Sequence, residues 1–271
     1  CSGWSYEGWK RNFYPETMEN KDYLPYYSKF FKFVEVDSTY YHIPSRSTVR
    51  GWKERTPEDF KFSLKFPKII THERKLEDVI KPLSALFYSL EPLTDKILML
   101  LIQLPPFLSE KRGFTSLQDM VQHLDKRFRY SLEVRHPSWF NDDVYKFLRE
   151  HDMSLVWSIR DKLQSPSVIT SDQIYIRFIG DRSISEKDFG KTVKDRRNEM
   201  LEYAKKVKET QNENSNISDI LIAFNNHFAG FGPQSVNDFL KLMNMSEVDW
   251  KSELEIYKNK SGQSSLSDFT K

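Results

Sequence analysis

Three observations predict an α/β fold of the TIM-type (β/α)8 barrel kind. Short runs rich in β-branched and aromatic residues recur along the chain, and stretches with a helical apolar stripe lie between them. No linker or internal repeat interrupts the series. Strands regularly alternating with helices give a parallel sheet, and such units spread over 271 residues suit a closed barrel. One domain is expected over residues 1–258, with a disordered tail at 259–271, where the composition turns polar and serine-rich.

The opening "CSGW" reads as the end of a first strand truncated at the N-terminus. Residues 33–38 alternate Val34 and Val36 with Glu35 and Asp37, the period of a strand. "SRSTVRGWKERTP" is a helix that Ser45 or Ser47 can cap and Pro57 stops. Strands follow at 61–66, 97–103 and 130–135. In "NDDVYKFLREH", Asn141 caps a helix whose first turn is acidic, and Val144, Phe147 and Leu148 share one stripe. The strands at 154–158 and 173–178 lie so close in sequence that the helix near residues 159–172 is expected to be short or missing. A charged helix at about 186–210 and the polar loop "QNENSNIS" lead to the last strand, 219–225.

Hydrophobic residues make up 38% of the chain and aromatic residues 14%, enough for a sizeable core. The net charge of +2 falls short of the strongly basic balance of a dedicated nucleic-acid binder. The one cysteine, Cys1, excludes an internal disulfide and fits a reducing compartment. No apolar run of transmembrane length and no signal-peptide pattern is present, so a cytoplasmic location without membrane association is expected.

In a barrel, alternate strand residues press on the helices and should be apolar. That parity turns Val34, Val36, Phe62, Leu64, Phe66, Leu98, Leu100, Ile102, Leu132, Val134, Ile174, Ile176, Phe178, Ile220, Ile222 and Phe224 outward. It leaves Glu35, Asp37, Ser63, Lys65, Gln103, Ser131, Glu133, Arg135, Tyr175, Arg177 and Asn225 facing the axis, most of them near strand carboxyl ends, where barrel active sites are built. Lone buried charges cost several kcal/mol, so these groups must pair or meet water. Two readings are open: a structural network of ion pairs, or a functional mouth.

Several blocks carry a resemblance. "SGWSYEGW" with "FYP", "YLPYYSKFFKFVEVDSTYYHIPS", "FSLKFPKIITH", "LLIQLPP", "EVRHPSW" and "AFNNHFAGFG", in this order, resemble the YecE-like family, also called domain of unknown function 72. The resemblance runs from residue 2 to about residue 238 and implies a TIM-type barrel. The activity of that family is not established. The resemblance marks Glu35, Ser38, Thr39, Tyr41, Lys65, Gln103, Glu133, Arg135, His136, Arg177, Asn225 and Asn226 as recurrent polar positions. Members commonly read Arg-Leu-His-Gly after the seventh strand, whereas this chain reads "RFIG", with Ile179 in place of the histidine. A mechanism that needs that imidazole is therefore in question.

The arginine forks of Arg135 and Arg177, with Lys65, suit a small anionic ligand or a phosphate ester, nucleic acid included. Glu35, Asp37 and Glu133 are the candidate proton-transfer groups. Gln103, Asn225 and Asn226 can orient a ligand, and Trp4, Tyr6 and Trp9 either stack on it or form a lid packed on their own barrel. His72, His136 and His227 follow strands and could join Glu133 or Asp37 around a divalent metal, but dense ligand spacing is missing. They are read as residues that order the loops, and no cofactor is predicted. The expected function is a hydrolase or lyase acting on an anionic substrate. A non-catalytic module that binds nucleic acid or an anionic metabolite is one alternative. A carbohydrate-active enzyme using Glu35 and Glu133 as a carboxylate pair is another.

Overall fold

The computed structural model describes residues 1–180 and 182–257. The tail expected at 259–271 lies outside the described residues. Among those residues the strands are β1 (Phe33–Val36), β2 (Lys61–Lys65), β3 (Ile97–Gln103), β4 (Tyr130–Glu133), β5 (Met153–Leu155), β6 (Trp157–Ile159), β7 (Gln173–Phe178) and β8 (Asp219–Phe224). All pairings are parallel. They form one sheet in the order β1-β2-β3-β4-β5 and a second in the order β6-β7-β8. The expected closed eight-stranded barrel is therefore not what the chain forms.

Two seams separate the sheets. The run expected as one strand at 154–158 divides at Val156, and its halves join different sheets. The loop that follows supplies the reason. Thr170 Oγ1 accepts from Leu155 N at 2.7 Å and donates to Met153 O at 2.7 Å. Ser165 Oγ accepts from Ser158 N at 2.5 Å and donates to Val156 O at 2.8 Å. Hydroxyls thus satisfy backbone groups that a continuous ladder would use, and buried backbone groups need only one set of partners. Residues 160–172 hold no helix. At the other seam, the opening residues make an isolated bridge from Ser2 to Glu35 and no strand. Ser2 N donates to Phe224 O at 2.9 Å and Glu35 N to Cys1 O at 2.9 Å, so this short segment touches both sheets.

The helices that position the site are α1 (Tyr23–Phe30), α2 (Arg46–Glu54), α3 (Ile80–Leu90), α4 (Glu110–Val121), α5 (Asp142–Glu150), α6 (Arg197–Glu213), α7 (Asn226–Ala229) and α8 (Gly232–Leu242), and residues 251–257 are helical as well. Ser45 caps α2 by accepting from Thr48 N at 3.1 Å, and Asn141 caps α5 by accepting from Val144 N at 3.0 Å. The charged helix expected from residue 186 starts only at Arg197. Before it, the chain makes one 3-10 turn at Glu186–Asp188 and reaches Gly190 at φ +98°. A side chain at Gly190 would overlap the Gly8 carbonyl, so this loop docks closely on the opening segment and cannot be helical there.

Outward-facing Val34, Val36, Phe62, Leu64, Leu100, Ile102 and Leu132 pack under the helices of the larger sheet. Ile174, Ile176, Phe178 and Phe224 pack with Tyr203, Ala204 and Phe239 of α6 and α8. The inner faces meet in a smaller cluster of Met99, Leu101, Val156, Tyr175, Leu221 and Ala223. Leu98, expected outside, packs against that inner cluster instead. The register between β2 and β3 steps from Phe62–Ile97 to Ser63–Met99, and this bulge frees Leu98 from the alternation.

Candidate functional site

Above the inner apolar cluster, at the carboxyl ends of the strands, the axial side chains meet. Arg177 on β7 stands at the centre and is buried. Its Nε and Nη2 lie 2.6 Å from Glu35 Oε2 and Oε1 respectively, a two-pronged pair with β1. Its Nη1 contacts Glu133 Oε2 of β4. Tyr175, two residues earlier on the same face, donates to Glu35 Oε2. Ser63 Oγ lies 2.8 Å from the Tyr175 hydroxyl, beside Glu35 in the β1–β2 register. One guanidinium therefore ties the five-stranded sheet to the three-stranded one.

Around this centre lies a more open layer. Arg135 Nε is 3.0 Å from Glu133 Oε1, and its Nη2 donates to Gln103 Oε1 at 2.5 Å. Lys65 Nζ lies 2.7 Å from Asp37 Oδ1, while Arg177 Nη2 is 3.9 Å from the same oxygen. The Asp37 side chain is 28% exposed, whereas those of Glu35 and Glu133 have no exposed surface. Thr39 Oγ1 donates to Val36 O at 3.0 Å and Lys65 O at 2.7 Å, fixing the turn that carries Asp37.

The electrostatics follow from this packing. Burial alone would raise the Glu133 pKa, but Arg177 and then Arg135 outweigh it and hold the group at about 2. Burial likewise opposes ionisation of Asp37, yet Lys65 and Arg177 keep its pKa below the ordinary aspartate value. His72 is lowered to about 4 by burial, with Arg135 and Lys65 adding to the effect, so it is neutral at neutral pH. The Tyr6 pKa is raised by burial and then by the charges of Asp37 and Glu35.

The structure brings together Glu35, Asp37, Glu133, Lys65, Gln103, Arg135 and Arg177. Other candidates serve elsewhere. Trp9 is buried in the aromatic core, with Nε1 donating to Asn226 Oδ1 at 3.1 Å; that oxygen also accepts from Gly232 N at 2.9 Å. Asn226 is thus a clamp between the opening segment and α8. Asn225 caps α7 by accepting from His227 N at 3.0 Å. Trp4 packs edge-on against Trp52 at 6.1 Å. Tyr6 donates to Ser2 O at 2.8 Å. Tyr41 stands at the rim with 68% of its surface exposed.

The histidines are tied separately. His72 Nδ1 lies 2.8 Å from Thr71 Oγ1, His136 Nδ1 lies 2.8 Å from Ser138 Oγ, and His227 Nδ1 lies 3.0 Å from Ile184 O. Among the described residues, no group of three or more His, Cys, Asp and Glu side chains is placed to hold a metal ion.

One residue escaped the sequence reading. Arg160 directly follows β6, on the parity of Ser158, which pairs with Arg177. Its guanidinium pKa is lowered by burial and then by Arg135; Glu133 opposes this, and Arg182 and Arg177 add to the lowering. It forms no ion pair among the described residues. The signal was present in "VWSIR": ending the strand at Ser158 rather than Ile159 hid the next axial position.

Two parallel sheets joined by a buried arginine between glutamates define an α/β protein with a polar site at its strand ends. The chain belongs to the family described as protein of unknown function DUF72, which it matches over residues 1–257. It is 31% identical to the UPF0759 protein YecE of Escherichia coli K12 over 137 residues, 51% of this chain. The match spans about half of YecE, 47% of its length. The UPF0759 protein YunF of Bacillus subtilis 168 is 24% identical, covering 90% of this chain and 93% of that protein. The crystal structure of a DUF72 family protein from Thermotoga maritima superposes with a TM-score of 0.74 at 26% identity, covering 90% of this chain and 96% of that one. A DUF72 family protein from Enterococcus faecalis gives 0.69 at 22% identity over 82% of this chain and 94% of that one, a likeness of fold. No helix among the described residues is long and apolar enough to cross a membrane.

Proposed function

We propose that the strand-end cluster binds a small anionic ligand, a phosphate ester in the leading reading, through Arg160 and Arg135. The single observation that carries this is charge matching. Lys65, Arg135 and Arg177 stand against Asp37, Glu133 and Glu35, and Arg160 forms no ion pair among the described residues, Glu133 acting on it only from beyond contact while already paired with Arg135 and Arg177. A half-buried guanidinium among other cations is destabilising until an anion joins it, and its planar fork matches phosphate oxygens. This shifts the anion-holding role assigned to Lys65, Arg135 and Arg177 toward the rim, because Arg177 is spent on two glutamates.

Hydrolysis fits better than elimination. Asp37 is the member of the carboxylate trio with exposed surface, and Lys65 beside it can return a proton. Its lowered pKa makes it a weak base, suited to orienting water rather than to removing a proton from carbon. The carbohydrate reading loses support because the Arg177 guanidinium lies between Glu35 and Glu133, where a glycosidic bond would have to sit. The fully paired glutamates also suit the rival reading of a binding module without turnover.

A panel of phosphate monoesters and diesters tests these readings. Asp37→Asn should lower turnover by roughly 10² to 10⁴ with little change in affinity, and Arg160→Ala should weaken binding. Affinity without turnover across the panel would leave the binding module. No affinity for any anion, or affinity indifferent to Arg160→Ala, would remove the proposal.

A further inference from the structure

A second groove lies beside the mouth, between the loops that follow β2 and β3. Lys75, Glu77, Phe107, Leu108 and Arg112 line a space of about 280 Å³. Phe107 is 57% exposed, a large ring left in water although Leu108 beside it is buried. Neither Lys75 nor Arg112 forms an ion pair among the described residues, and Glu77 is one acid against two cations.

The backbone that presents Lys75 is held under strain. Lys75, Leu76 and Asp78 adopt φ of +53°, +74° and +49°, a left-handed conformation that side chains disfavour. The turn persists because Leu76 is buried, Leu76 N donates to Ile70 O at 2.9 Å, and Arg74 Nη1 donates to Asp78 O at 2.7 Å. Strain of this kind gathers where a side chain must be aimed. The loop that carries Lys75 reaches toward the mouth through His72, whose ring packs edge-on against Tyr40 at 5.0 Å, beside Tyr41. His72 of the same loop feels Arg135 and Lys65, and Leu108 O accepts from Trp139 Nε1 at 2.8 Å, just beyond Arg135.

We infer that this groove binds single-stranded nucleic acid, a base stacking on Phe107 while Lys75 and Arg112 flank the neighbouring phosphates. The inference rests on the anion-binding reading of the mouth and extends it: a strand lying in the groove delivers its next phosphate toward Arg135 and Arg160, past the exposed Tyr41 ring. An aromatic face between unpaired cations fits this partner because every base offers a π-face and every linkage a charge. An acidic peptide would use the cations and leave the ring idle. Duplex DNA would keep its bases stacked within itself.

The test is fluorescence anisotropy of a labelled oligothymidylate with the full chain. Phe107→Ala should weaken binding by roughly 5- to 150-fold, and Phe107→Trp should restore it. Arg112→Gln should lower the slope of log affinity against log salt by about 0.7, one phosphate contact on a single strand. These positions are exposed, so the variants should keep the wild-type circular dichroism. Failure of the oligonucleotide to bind, or affinity indifferent to Phe107→Ala, overturns the inference. So does equal competition by polyglutamate that ignores the ring. Inorganic phosphate separates the two sites: Arg160→Ala should abolish its binding and Phe107→Ala should not. Oligonucleotide binding that needs Phe107 while phosphate binding ignores Arg160 would sustain the groove and remove the mouth.

Discussion

Arg177 links Glu35, Glu133 and, at longer range, Asp37. A buried guanidinium is tolerable only because two carboxylates neutralise and hydrogen-bond it. Removing it strands both glutamates, so Arg177→Met should cost about 3–5 kcal/mol in chemical denaturation. Adding Glu35→Gln and Glu133→Gln to that variant should recover part of the loss, whereas a purely steric role for Arg177 would give no recovery. The pH dependence follows from Glu133, whose pKa falls from 4.5 to about 2 on folding. A depressed carboxylate stabilises the native state above its unfolded pKa, and the gain disappears as pH drops toward the folded value. Wild-type stability should therefore decline by about 3 kcal/mol through this group between pH 4.5 and 2. Glu133→Gln should flatten that part of the profile in acid titrations followed by circular dichroism. The cluster was legible in the sequence because strand parity is strict where β-branched residues alternate with charges. Arg160 was not, because its strand is three residues long and its backbone is held by Ser165, in a loop seven residues on that shows no periodic pattern.

Helix α2 shows how an element is ended by a residue from elsewhere. Pro57 stops it in sequence, but the terminal carbonyls also need donors. Lys96, buried just before β3, has its Nζ within hydrogen-bond reach of Lys53 O at 3.1 Å, Thr56 O at 2.9 Å, Thr56 Oγ1 at 3.1 Å and Pro57 O at 2.7 Å, which its three N–H groups share. A cation at a helix C-terminus also meets the favourable end of the dipole. Lys96→Met should remove about 2 kcal/mol of stability, read as a lower denaturant midpoint at unchanged m-value. Nothing in the run "TDKILML" distinguishes Lys96 from a solvated lysine, since its partners are backbone oxygens some forty residues earlier. The helix boundaries set by local chemistry, Ser45 and Asn141, were readable. Those set by loop docking, such as the late start of α6 behind Gly190, were not.

At the scale of the molecule, the alternation of strands and helices told the class, and the ring closure inferred from it was wrong. Counting units cannot reveal that Thr170 and Ser165 occupy the backbone groups of one seam, or that residues 1–3 contribute a bridge rather than a strand at the other. What spans the seams near the strand ends is side-chain chemistry: Tyr175 and Arg177 on one sheet grip Glu35 and Glu133 on the other. The cationic rim rests on that grip. The most direct measurement is a crystal soaked in tungstate, a heavy phosphate mimic whose position anomalous scattering reports. The expected result is one tetrahedral anion within hydrogen-bond distance of both Arg135 and Arg160, with the Glu35–Arg177–Glu133 contacts intact. Anion density elsewhere while that rim stays bare, or Arg160 found paired with a carboxylate, would contradict the assignment.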